Sequence, residues 1–93
     1  MTFIAGEGVL TFDGEVVESF GFSYDRPVRA HVAMLKTIEV DEGGRFSDPS
    51  VSFKVDGQPI GPQGAFTKEE AASPELAKLI DAVRAAAPNL EES

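Results

Sequence analysis

The chain has 93 residues and a formal net charge of −8, from sixteen acids against eight bases. Its length allows one domain with a thin core, its ordinary apolar and charged content argues against global disorder, and the absence of cysteine excludes disulfides, thiolate metal sites and a cysteine nucleophile. Met1-Thr2-Phe3-Ile4 lacks a basic region before an apolar run, and no stretch approaches the roughly 18 apolar residues of a membrane span, which predicts a soluble, cytoplasmic protein.

Residues 3–12 and 15–24 are predicted to form a hairpin through Asp13-Gly14, a preferred two-residue turn of type I′. That turn sets Phe12 against Glu15 and Leu10 against Val17. Val16, Phe20, Phe22 and Tyr24 then share one face with Glu18. The other face, with Gly6, Gly8, Ser19 and Gly21, is nearly bare. It calls for either a bulge at Gly6-Glu7-Gly8 or the close approach of another backbone. After the turn at Asp25-Arg26-Pro27, residues 28–40 alternate as a half-buried strand. A helix over residues 28–38 is the competing reading, and the β-branched Val28, Val32, Thr37, Ile38 and Val40 favour strand.

Residues 41–50 form a polar, Gly-containing loop, and Val51-Ser52-Phe53-Lys54-Val55 a clean strand. Asp56-Gly57 is a second hairpin signal. Gln58-Pro59-Ile60 can be no more than an edge strand, and Gly61-Pro62-Gln63-Gly64 is a linker. Thr67-Lys68-Glu69-Glu70 fits a capping box that opens a turn or two of helix. Ser73-Pro74-Glu75 is a stronger helix start, followed by an apolar stripe of Leu76, Leu79, Ile80, Val83 and Ala87. Pro88-Asn89 ends that helix. The resulting fold class is α+β: an antiparallel β-meander of about four to five short strands with two Asp-Gly hairpins, and one C-terminal amphipathic helix packed on the sheet. Within a single domain, residues 1–60 supply the sheet, 61–73 a linker with a short helical turn, 74–87 the helix and 88–93 a tail.

No segment carries a reaction signature. His31 stands alone and is expected at the surface. Asp41, Glu42 and Asp48 surround a glycine-rich loop, but their spacing departs from that of a calcium loop. Gly6-Glu7-Gly8 lacks the third glycine of a nucleotide-binding turn, and Ser19 and Ser23 lack a nucleophile-elbow pattern. Arg26 and Arg29 are expected to pair with Asp25 or with the acidic first hairpin. No catalytic, metal or cofactor residue is assigned.

The charge pattern points elsewhere. Residues 1–24 hold four acids, Glu7, Asp13, Glu15 and Glu18, and no base. With Asp41, Glu42 and Asp48 they form the candidate protein-binding surface. Phe46 in the polar loop is its candidate aromatic anchor, although burial in the core is the favoured reading of that residue; Phe66 suits a hydrophobic staple onto the helix. The expected function is a non-enzymatic protein-binding module, a small acidic inhibitor or adaptor of the phage or mobile-element kind. It would dock on a basic partner surface, with mimicry of nucleic-acid charge as one form. The alternative is a structural subunit that self-associates, and a small-ligand binder or enzyme ranks third. Direct nucleic-acid binding and membrane binding are not expected, and the chain should be a monomer or homodimer.

Overall fold

Alternating apolar residues build two antiparallel meanders here, and the computed structural model describes residues 1–22, 26–58 and 60–91 of them. The first sheet contains β1 (Thr2–Ile4), β2 (Val9–Phe12), β3 (Val16–Phe20) and β4 (Val28–His31), in that order. The second contains β5 (Leu35–Asp41), β6 (Ser50–Val55) and β7 (Gln63–Ala65). A one-turn helix, α1 (Lys68–Ala71), leads into α2 (Pro74–Ala86). The fold is therefore α+β, with seven strands among the described residues where four to five were predicted. Phe3, Leu10, Phe12 and Val17 from the first sheet join Ile38, Val51 and Phe53 from the second, and Leu76, Leu79, Ile80 and Val83 of α2, in one core.

The first hairpin forms, with a different register. Phe12 lies opposite Val17 and Leu10 opposite Ser19. The reason is Asp13. Its carboxylate accepts the backbone N–H groups of Glu15 and Val16 at 2.8 and 2.7 Å, and its own N–H donates to the Val16 carbonyl. The loop is thus Gly14-Glu15, and only Gly14 takes positive φ, at 106°. This is the pattern of a turn that needs glycine at its first central position, in place of the predicted type I′ turn. The face of Val16, Glu18 and Phe20 is the outer one, and Phe20 is 50% exposed. Tyr24 lies outside the described residues.

The chain breaks at Gly6-Glu7-Gly8, so β1 turns back onto β2 and Phe3 pairs with Leu10. The bare inner face around Ser19 receives a second backbone, as one of the two sequence alternatives requires. Ser19 is 3% exposed, and its hydroxyl oxygen accepts the N–H of Gln63 in β7 at 3.2 Å.

Residues 28–40 are neither one strand nor one helix. His31 caps a single turn of 3-10 helix over Val32–Met34, its Nδ1 accepting the Ala33 N–H at 3.1 Å. That turn carries the chain from the first sheet to the second and resets the alternation. Leu35 is buried, whereas Met34 points outward. His31 itself is exposed, as expected.

The predicted linker contains β7. Pro62 has no N–H to donate, but its carbonyl accepts from Phe53 at 2.8 Å, and Phe66 N–H donates to Pro49 at 2.9 Å. Pro59 lies outside the described residues. Both helix starts form as read. Thr67 and Glu70 make the complete capping box, and Ser73 caps α2 with Pro74 in its first turn. No helix among the described residues is long and apolar enough to cross a membrane.

Glu70 does more than cap. One carboxylate oxygen accepts the Thr67 N–H at 2.8 Å, and the other accepts the Gly6 N–H at 2.7 Å. The second bond ties α1 to the β1–β2 turn. Bonds from Thr67 and Gly6 hold the Glu70 carboxyl below its ordinary range, and bonds from Val16 and Glu15 do the same for Asp13. Both groups hold their protons more weakly folded than unfolded. Their contribution to stability is present above the ordinary carboxyl values of about 4 and is lost as pH falls through the lower folded values. Thermal denaturation should therefore show a Tm that drops on acidification through that range. Glu70→Gln, which keeps one acceptor, should lower Tm at neutral pH and flatten the acid limb. An acid limb identical to that of the native chain would refute the assignment.

Candidate functional site

The predicted acids do not converge on one patch. Asp13 and Glu15 sit at the tip of the β2–β3 hairpin, where the Asp13 carboxylate is engaged by the turn itself. Glu18 is the cross-strand partner of Arg29, with their side chains 2.6 Å apart, so the arginine pairs with the acidic hairpin as anticipated. Asp25 lies outside the described residues. Glu7 and Asp48 border a small depression beside Thr67 and Glu70.

Phe46 is 96% exposed, which corrects the favoured core reading. Its loop is nonetheless constrained. Gly43 N–H donates to Asp41, and Gly44 N–H donates to both the carbonyl and the hydroxyl of Ser47. The Arg45 guanidinium lies 6.0 Å from the Phe46 ring centroid, at the edge of cation–π range. A ring held out on a tied loop keeps its whole apolar surface available. The core position in this part of the chain goes instead to Phe66, which packs edge-on against Phe3 and Phe22.

Asp41 and Glu42 belong to a different feature that the sequence does not reveal. They stand at the mouth of a cleft of about 380 Å³ between the end of the β5–β6 ribbon and the two helices. Its floor is Val40, Val51, Phe66, Leu76 and Ile80. Val40 shares the face of the buried Ile38 yet remains 50% exposed. Ala71, Ala72 and Ala77 line the helical wall and are too short to close the gap. The charged groups divide by wall. The strand side presents only acids, Asp41 and Glu42, while the helical side presents Lys68, Asp81 and Arg84.

The volume lies at the low end for small-molecule sites. The cleft has an apolar floor and charged lips. Asp41, Glu42 and Asp81 are the acids on its rim, and the only histidine, His31, is not among its lining residues. No group of three or more His, Cys, Asp or Glu side chains placed to hold a metal occurs among the described residues.

Comparison with protein-family models, with curated proteins and with solved structures finds no match for this chain.

Proposed function

We propose that the protein is a non-enzymatic binding module that docks on a basic surface of a partner protein. The observation that carries this reading is the open apolar cleft whose strand side has acids as its only charged groups, with the exposed Phe46 on the loop that leaves that side. Apolar floor supplies affinity, and acids at the rim select and steer a basic partner. The net charge of −8 extends that steering beyond contact range. An inhibitor or adaptor role fits a chain whose chemistry lies in its surface.

The test is capture from lysate of the source cell at low and high salt, with the native chain and with Asp41→Lys/Glu42→Lys. A basic protein retained by the native chain, released as salt rises and lost by the doubly reversed variant is the expected result. Equal capture by both chains, or capture indifferent to salt, would sink the reading.

Self-association is the second reading, and one feature favours it. Ile4, Val9 and Phe20 lie side by side across β1, β2 and β3, and Ile4 is 75% exposed. This row gives the outer face of the first sheet an apolar stripe. Sedimentation velocity from dilute to concentrated solution separates the readings, because only an assembling chain changes its coefficient.

A further inference from the structure

The free edge of β5 extends the docking reading, on which the following rests. β5 is an edge strand of its sheet, and its last residues line the cleft. The direction of its backbone groups follows from the hydrogen bonds around β6. Phe53 N–H donates to Pro62 and Phe66 N–H to Pro49, so the odd-numbered residues of β6 turn their peptide groups toward β7. Along an antiparallel strand these directions alternate. Ser50 and Ser52 therefore face β5, where their register partners are Asp41 and Glu39. Asp56 N–H, donating to Met34, agrees with this phase.

It follows that Glu39 and Asp41 commit their backbone to β6, and that Ile38 and Val40 aim theirs outward. Among the described residues no backbone group pairs with that outer edge at Ile38 or Val40. Two residues earlier the edge is already in use: Glu91 N–H, in the segment after α2, donates to the Lys36 carbonyl at 2.6 Å. The Lys36 ammonium stands 3.5 Å from the Glu91 carboxylate. A second chain segment can thus reach this edge past α2, and the molecule itself does so once.

We propose that an extended, basic segment of a partner protein adds as a strand to β5, bonding the N–H and C=O of Ile38 and Val40. Its alternate side chains enter the cleft over Val40 and Ile80. Main-chain bonds supply affinity in strand addition, and pockets for alternate side chains supply selectivity. The acids Asp41 and Glu42 at the strand wall set the preferred charge of the segment.

The probe is an end-capped heptapeptide of alternating lysine and valine, added to the isotope-labelled full chain. The amides of Ile38 and Val40 should shift and gain protection from exchange, while those of Glu39 and Asp41, already bonded to β6, change little. N-methylation of alternate peptide residues should weaken binding on the order of tenfold in one phase and leave it unchanged in the other, since a strand pairs through every second residue. Val40→Pro should weaken binding by about the same factor. It removes an N–H that β6 does not use, a change edge strands tolerate. Should that variant fail to fold, the N-methylated peptides carry the test alone.

Shifts confined to the Asp41 and Glu42 side chains and the Phe46 loop, with no protection at Ile38 or Val40, would overturn strand addition and leave acidic docking standing. Equal binding of a matched, end-capped heptapeptide of alternating glutamate and valine would overturn the basic preference. No interaction with the lysine–valine peptide or with polylysine would overturn both readings.

Discussion

Phe66→Ala is expected to lower the unfolding free energy by about 3–5 kcal/mol in chemical denaturation, as truncation of a buried phenylalanine does. The side chain is buried against rings from two other parts of the chain. Its centroid lies 5.7 Å from that of Phe3 and 5.4 Å from that of Phe22, both near perpendicular. Such edge-on contacts add about 0.5–1.5 kcal/mol each to simple burial. A small domain holds a total of about 5–15 kcal/mol, so the loss is a large share of its stability. Phe66 also immediately precedes the capping box of α1 and floors the cleft, so the variant should lose peptide binding along with stability. The internal control is Phe46→Ala. That ring touches almost nothing within the chain, and its removal should leave stability within about 0.5 kcal/mol. Similar losses for the two variants would mean that the core is not organised around Phe66.

The two phenylalanines illustrate what a sequence discloses. Phe66 is legible because its neighbours announce it: a capping box follows directly, and local capping chemistry does not depend on tertiary context. The same holds for α2, whose Ser73-Pro74 start and apolar stripe each suffice. The sheets are legible as strands and turns but not in register. A single side-chain choice by Asp13, accepting two backbone N–H groups, moves the hairpin partner of Phe12 from Glu15 to Val17, a two-residue shift that changes the cross-strand neighbours and keeps each side chain on its face. One helical turn at Val32–Met34 breaks the alternation, so that Leu35 is buried, and the register shift between Leu35 and Thr37 restores it, so that Ile38 is buried as well. Periodicity cannot anticipate either event, because both halves of the interrupted run remain in good alternation.

The candidate site is the least legible part. Its acids, Asp41 and Glu42, stand out in the sequence by charge and by the glycines that follow. The cleft itself does not. It exists because Val40, Phe66, Leu76 and Ile80 come together from separate elements and because three alanines fall where larger residues would have filled the gap. The free edge that gives the cleft its proposed use is a property of strand order. Strand order depends in turn on β7, a segment whose composition reads as linker.

That dependence makes Gly61→Ala the sharpest test of the second sheet, with an expected cost of about 1–3 kcal/mol or more. A Cβ at Gly61 would fall inside the contact shell of the Phe53 carbonyl oxygen, and it would also crowd the Val55 side chain at 3.2 Å. The first obstacle is backbone in the middle of β6, which cannot rotate away as a side-chain tip would. Relief requires the segment before β7 to lift, and the bond from Phe53 N–H to Pro62 then breaks. The Ser19 hydroxyl would lose its Gln63 N–H with it, leaving a buried polar group without its partner. The damage should therefore appear first as faster amide exchange at Phe53, Gln63 and Phe66, before any loss at the Ala87 amide that closes α2. Gly44→Ala is the matched control. The same methyl there would meet only the Ser47 side chain, at 3.3 Å, and should cost little. If the two alanine variants proved equally stable, with Phe53 still protected, then β7 would not hold β6 as described. The edge position assigned to β5 would lose its foundation as well, because the outward direction of Ile38 and Val40 is inferred from the bonds that β6 makes to β7.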